Sequence, residues 1–260
     1  MIEVTRGTSP LILGLPHTGT YVPPEIMANF NDNGHALADT DWHIDRLYDG
    51  LVENITTIRT PVHRYVIDAN RDPAGVSLYP DQNTTTLCPL TDFDGNPIYL
   101  SGREPDEVEI TRRRDQFHTP YHDAIRAELA RVKSLYGIAI LYDCHSIRSH
   151  IPFLFKGTLP DFNIGTDLGR SCHARIEQAV ANVCAGATGF TSVYNGRFKG
   201  GWTTRHHGVP VNGVHAIQME LAQSTYMQES PPWTYDDTRA TALRAHLKTI
   251  LETLIRWRPT

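Results

Sequence analysis

No window of the 260-residue chain approaches the roughly 20 consecutive apolar residues that a membrane span requires. The opening MIEVTRGTSP has no basic stretch followed by an apolar one, so it lacks the layout of a signal peptide. These absences lead us to expect a cytoplasmic protein that does not engage a membrane. Cysteine is scarce. Cys88, Cys144, Cys172 and Cys184 stand far apart without CxxC spacing, which disfavours a zinc knuckle or redox centre and suits small core residues in a reducing compartment. Clustered positive charge is missing as well. A formal net charge of −5 argues against nucleic acid as a partner, because neutralising phosphates needs grouped Lys and Arg. The one basic cluster, Arg112, Arg113 and Arg114, sits among acidic residues on an expected helix and reads as a solvated face. Internal repeats and low-complexity stretches are absent from the sequence too.

With 40 % apolar residues, the chain is long enough to bury a core without disulfide or oligomeric help, and one domain over residues 1–260 is the simplest organisation. Apolar runs bounded by turn residues alternate with segments of helical period, the pattern of an α/β fold on a mostly parallel sheet. Leu11 to Leu15 reads as a buried strand that stops at Pro16 and His17. Residues 39–55 carry Ile44, Leu47, Tyr48, Leu51, Val52 and Ile55 at helical spacing behind Asp39, Thr40 and Asp41, which predicts a helix with an acidic first turn. Short strands are expected at Thr56 to Arg59 and Tyr65 to Ile67. The stretch Asp72 to Gly102 loses all periodicity, and a loop this long is usually functional or covers something. Further along, the spacing predicts helix over 106–135 on both sides of Pro120 with Gly137 as its stop, and a strand Ile138 to Tyr142 running into Asp143, Cys144 and His145. A helix at 167–184, a strand Val214 to Leu221 with Glu220 near its end, and a helix from about 235 to 257 complete the reading.

Thirteen histidines are present, and His118, His122, His150 and His173 lie on or beside helices as surface or hydrogen-bonded rings. His17 and His145 differ, because each follows an apolar strand where α/β sheets build their sites. Two histidines and a carboxylate satisfy a hydrolytic zinc ion that keeps a position open for water. Asp39, Asp41 and Asp45 are the acids available to complete such a set, and helix capping is the competing explanation for them. Glu220, in a buried strand, is costly there unless paired or catalytic. Arg64 to Arg71 places two arginines, Asp68 and Asn70 around a short apolar stretch, fit either to grip a carboxylate or to form a salt-bridged turn in which Asp68 holds Arg71. Arg205 follows a Gly-Gly turn and offers another anion contact.

Seven separated segments in order resemble the N-formylglutamate amidohydrolase family: Leu15-Pro-His-Thr-Gly19, Asp41-Trp-His-Ile-Asp-Arg-Leu-Tyr48, Val66-Ile-Asp-Ala-Asn-Arg71, Pro120-Tyr-His122, Asp143-Cys-His-Ser146, Phe198-Lys-Gly-Gly201 and Ala216-Ile-Gln-Met-Glu220. The family is itself similar to zinc carboxypeptidases and aspartoacylase. That resemblance implies a mixed, mostly parallel sheet flanked by helices and a single zinc ion, although the same ligands would accept cobalt, manganese or iron. It also implies His17 and His145 as metal ligands, Asn70 and Arg71 as the grip on a substrate carboxylate, Arg64 as the group that polarises the carbonyl, and Glu220 as the general base. Those relatives place a carboxylate ligand three residues after the first histidine, where this chain has Thr20. Asp41 is therefore the expected third ligand, with Asp45 second, while Arg205 or Arg148 would hold a second substrate carboxylate. The implied reaction is hydrolysis of N-formylglutamate to formate and glutamate in histidine degradation. Rival readings are an amidohydrolase for another N-acyl amino acid and a non-catalytic dicarboxylate-binding protein.

Overall fold

Strands send alternate side chains to opposite faces, and the apolar runs of this chain fill both. The computed structural model describes residues 2–78 and 82–259. Its strands are β1 (Glu3–Thr5), β2 (Leu11–Leu15), β3 (Thr56–Arg59), β4 (Ala139–Ile147), β5 (Phe162–Gly165), β6 (Ser192–Tyr194) and β7 (Val214–Ala222), joined in one sheet of order β1-β3-β2-β4-β7-β5-β6. The central β3, β2, β4 and β7 run parallel, and β6 runs parallel to β5. β1 and β5 are antiparallel to their neighbours β3 and β7. The sheet is thus mixed and mostly parallel, as expected.

The helices are α1 (Pro24–Met27), α2 (Asp32–His35), α3 (Ile44–Tyr48), α4 (Glu107–Arg113), α5 (Thr119–Tyr136), α6 (Ala174–Ala185), α7 (Trp202–His207) and α8 (Asp237–Arg256). On one face, Leu11, Leu13 and Leu15 of β2 and Ile140, Tyr142 and Cys144 of β4 join one core with Leu47, Ile176, Leu243, Leu247 and Ile250 from α3, α6 and α8. On the other, Ile12, Leu141 and Ala216 pack against Tyr121, Ile125, Leu129 and Val132 of α5. The same alternation continues along β4 and β7. It sends Asp143, His145, Gln218 and Glu220 to the α5 face, with Asp143 opposite Gln218 and His145 opposite Glu220 in register. Two strands with apolar beginnings therefore carry four polar side chains side by side near their carboxyl ends. All four cysteines are free and buried, which fits the core role expected of them.

Several boundaries differ from the sequence reading. The helix expected over 39–55 shrinks to Ile44–Tyr48, because His43 adopts a left-handed φ of 62° and Asp49 leaves the helical region. Asp39 and Asp41 consequently precede the helix in an irregular segment that turns inward, and the Asp41 N–H donates to His17 O at 3.0 Å. Tyr65 to Ile67 forms a buried turn instead of a strand. β4 runs on to Ile147, so Asp143 and His145 lie within it and not after it. The helix expected from 167 begins at Ala174, since Asp167 and Leu168 have positive φ. Helix over 106–135 is present but passes through a π turn at Arg114–His118, and Gly137 closes it at φ 76°. Arg113 corrects the reading of a solvated basic face: it is buried, paired with Glu109 at 2.7 Å and donating to Val66 O at 3.1 Å and Tyr99 Oη at 2.9 Å. The edge strands β1 and β6, and β5 between β7 and β6, carry no clear pattern in the sequence, each being three or four residues long. Of the aperiodic stretch from Asp72 to Gly102, Tyr79 to Asp81 lie outside the described residues, while Gly75 to Leu78 and Asn83 to Leu87 form part of a cavity wall.

Candidate metal centre and substrate pocket

Pro16 ends β2, and the next residue, His17, turns its ring into the buried space above the sheet. His17 Nδ1 faces His145 Nδ1 at 3.2 Å. Asp41 Oδ2 completes a triangle, 3.7 Å from His17 Nδ1 and 3.4 Å from His145 Nδ1. Ligand atoms held about 2.0–2.1 Å from a tetrahedral zinc stand about 3.3 Å from one another, so the three edges match the spacing of a preformed ligand set. This buried His17, Asp41 and His145 group can hold a metal ion. Asp45, the second choice for the carboxylate, lies outside it: its side chain is 44 % exposed and accepts the Arg46 N–H.

The far side of each ring decides its tautomer. His17 Nε2 lies 2.8 Å from Asp68 Oδ1, and His145 Nε2 lies 3.0 Å from Asp143 Oδ2. A carboxylate only accepts, so each Nε2 carries the proton and each neutral ring presents a lone pair at Nδ1. Two lone pairs and a carboxylate oxygen then converge, an arrangement that repels itself unless a cation sits among them. Positive charge is favoured at this point, whether a proton on the rings or a metal ion carries it. Burial opposes a charge on His145, but Asp143, Asp41 and Glu220 overcome it and lift that imidazole well above its usual range. Burial alone would raise the Asp41 carboxyl; the charge on His17, hydrogen bonds from His145 and His17, and the Arg64 cation outweigh it and hold Asp41 well below its ordinary range. The donor set thus fits a divalent ion, and the carboxylate behind each histidine is the usual outer support of such ligands.

Around the triangle lies a cavity of about 140 Å³ whose wall includes His17, Arg64, Asn70, Arg71, His145 and Glu220. Glu220, opposite His145, accepts from Gln218 Nε2 at 3.0 Å, and Gln218 is itself set by the Gly201 N–H at 2.7 Å. Burial pushes the Glu220 carboxyl up to about 7, against the pull of His145 and with the push of Asp41. Arg64 lies across Asp41 Oδ1 at 3.3 Å and Asp68 Oδ2 at 3.0 Å, over the Phe93 ring. Asp68 shows the same balance as Asp41: burial would raise it, but Arg71, His17 and Arg64 prevail and hold it well below its ordinary range. Arg71 donates through Nε and a terminal nitrogen to Thr85 O and Oγ1, each at 2.9 Å. Asn70 Oδ1 accepts the Thr203 N–H at 2.9 Å, and a Cβ on residue 201 would overlap the Asn70 amide, so glycine is required there for the close approach.

Arg148 and Arg205 are not brought to this cavity wall. Arg148 pairs with Asp94 at 2.7 Å, and Arg205 donates to Gly200 O at 2.8 Å beside Asp167. In their place the wall includes Arg197, next to Phe198, a residue the sequence reading missed because it lies in an irregular segment with no periodic signal. Asp68 does pair with Arg71, at 3.5 Å, as expected of it; its contact with His17 Nε2 at 2.8 Å carries no signal in the sequence. Asp143 and Gln218 were also missed as supports, although alternation from His145 and Glu220 places them on the same face.

An N-formylglutamate amidohydrolase family profile matches residues 9–227, and the chain belongs to that family. It is 46 % identical over 258 residues to the N-formylglutamate deformylase of Pseudomonas aeruginosa, covering 99 % of this chain and 97 % of that one. It is 43 % identical to the N-formylglutamate deformylase of Pseudomonas putida, again over 258 residues, with coverage of 99 % and 96 %. Among solved structures, an N-formylglutamate amidohydrolase from Ralstonia eutropha superposes with a TM-score of 0.79 at 21 % identity over 98 % of each chain. A protein from Agrobacterium tumefaciens gives 0.72 at 17 % identity, over 97 % of this chain and 94 % of that one. At those identities the two structures attest the fold.

Proposed function

We propose that the protein is a zinc-dependent deformylase that hydrolyses N-formyl-L-glutamate to formate and L-glutamate in the cytoplasm, and that it does so in histidine degradation, as the resemblance implies. The observation that carries this reading is the triangle of His17 Nδ1, Asp41 Oδ2 and His145 Nδ1, with edges of 3.2, 3.4 and 3.7 Å and Glu220 in register beside it. These three residues would hold the ion, and a divalent ion so bound supplies Lewis acidity that lowers the pKa of water to about 7.

The chain's own groups do the rest. Glu220, with its proton affinity raised by burial, takes a proton from the attacking water as oxygen bonds to the formyl carbon. The carbonyl electron pair moves onto oxygen, where the Arg64 guanidinium stabilises the growing negative charge. When the C–N bond breaks, Glu220 gives its proton to the leaving nitrogen and the products are formate and the free amine. Asn70 and Arg71 hold one substrate carboxylate, and Arg197, lining the same cavity, takes the place first expected of Arg148 or Arg205 for the other. Assays of formate release with matched formyl and acetyl amino acids test the reading. It expects N-formylglutamate to be preferred, because a pocket fitted to formyl rejects the extra methyl. Equal turnover of the acetyl compound, or none of the formyl one, would refute it.

A further inference from the structure

His118, the last residue of the π turn, and His122, in the first turn of α5, stand four residues apart on one continuous helix, and both rings reach across to the segment that contains Asn70 and Arg71. His118 Nε2 lies 3.0 Å from Arg71 O, and His122 Nε2 lies 2.8 Å from Ala69 O. The two carbonyls flank Asn70. Because a carbonyl only accepts, both Nε2 atoms carry protons, and His122 Nδ1 is left to accept from His207 Nε2 at 3.0 Å. Trp202 lies edge-on to His122 with ring centres 4.5 Å apart. Residues 65–71 form turns and no strand, so these carbonyls take their hydrogen bonds from the rings and not from a sheet ladder. From the other side, α7 supplies His207 and Trp202 and also the Thr203 N–H that fixes the Asn70 side chain. Burial holds His118, His122 and His207 below the usual imidazole range, which keeps this chain of rings neutral and its tautomers fixed.

We propose that His118 and His122 are positioning residues for substrate binding: they pin the backbone on both sides of Asn70, so that Asn70 and Arg71 are aimed at the substrate carboxylate before it arrives. The proposal rests on the assignment of Asn70 and Arg71 to that carboxylate. It makes the Pro120-Tyr-His122 segment part of the binding apparatus without placing it in contact with substrate.

The test compares His122→Leu, which keeps bulk and removes the donor, with His122→Gln, whose amide can still donate to Ala69 O, each alone and combined with Arg71→Ala in the full-length, metal-loaded protein. His122→Leu is expected to raise KM for N-formylglutamate roughly ten-fold with kcat within about two-fold, and His122→Gln to recover most of that loss. Acting through Arg71 and its neighbour, His122→Leu should add little further once Arg71 is alanine. Unchanged KM in His122→Leu, full additivity with Arg71→Ala, or no recovery in His122→Gln would each overturn the proposal. Should His122→Leu fail to fold, the same pair of substitutions at His118 makes the same predictions. Calorimetric binding of N-formylglutamate to these variants on a Glu220→Gln background separates the two levels. Binding lost in His122→Leu, with no turnover by the parent protein, would sink the deformylase reading and uphold the positioning role. Binding lost in Arg71→Ala but intact in His122→Leu and His118→Leu, with turnover by the parent protein, would overturn the positioning role and leave the deformylase reading standing.

Discussion

At the scale of single residues, the site is a contest over where protons sit. Asp68 and Asp143 fix the Nε2 protons of His17 and His145, so both Nδ1 lone pairs turn to the same point. Replacing Asp143 with Asn lets the ring turn or change tautomer, and such outer partners are worth about 10–100-fold in metal affinity, so chelator competition should find the Asp143→Asn protein weaker by that order. In the proposed reaction Glu220 is the base, and Glu220→Gln is expected to lower kcat by about 10²–10⁴ while leaving metal content intact by elemental analysis. Its carboxyl is pushed up to about 7 by burial, and a cation beside it can only bring that value down. A base works deprotonated. The acidic limb of kcat/KM against pH should therefore fall at or below about 7 and disappear from the residual activity of Glu220→Gln; an acidic limb well above neutrality would exclude Glu220 as the group responsible.

At the scale of elements, parallel strands deliver the chemistry and helices hold them still. Leu247 of α8 is fully buried against the sheet, and truncation to Ala should cost about 2–5 kcal/mol of stability in urea unfolding, with little change in KM because the site lies on the opposite face. The strands that matter were legible in the sequence, since Leu11 to Leu15, Ile138 to Tyr142 and Val214 to Leu221 are apolar runs that end in His17, His145 and Glu220. Helix periodicity was a poorer guide before Ile44. The apolar spacing from Ile44 onward is real, but the left-handed turn at His43 detaches Asp39 and Asp41 from the helix and frees them to face inward. What local pattern could not reveal was contact between irregular segments. Arg197 reaches the cavity from such a segment, and Arg148 finds Asp94 in the long aperiodic stretch instead. Neither outcome leaves a period or a spacing to read.

At the scale of the molecule, the carboxyl ends of β2, β4 and β7 face one cavity while two cores stabilise the sheet from either side. Acid should loosen this arrangement through the buried histidines. His207 is pushed down to about 3 from its usual 6.5, chiefly by burial, and His122 is held well below its usual range for the same reason. Between about 6.5 and about 3 the unfolded chain binds protons that the folded one refuses, so stability falls as pH falls, by up to about 1.4 kcal/mol per unit for each such histidine. The buried carboxyls of Glu220 and Asp39, both raised to about 7, act in the opposite sense over the same range, so the specific sign lies in the difference: urea midpoints should fall less steeply from pH 7 to 5 in His207→Gln than in the parent, and equal slopes would contradict neutral burial of that ring. Anomalous diffraction at the zinc edge from crystals grown with the metal bears most directly on the whole account. It should place one peak among His17 Nδ1, Asp41 Oδ2 and His145 Nδ1. A peak against the Nε2 atoms, or one confined to other residues, would contradict it.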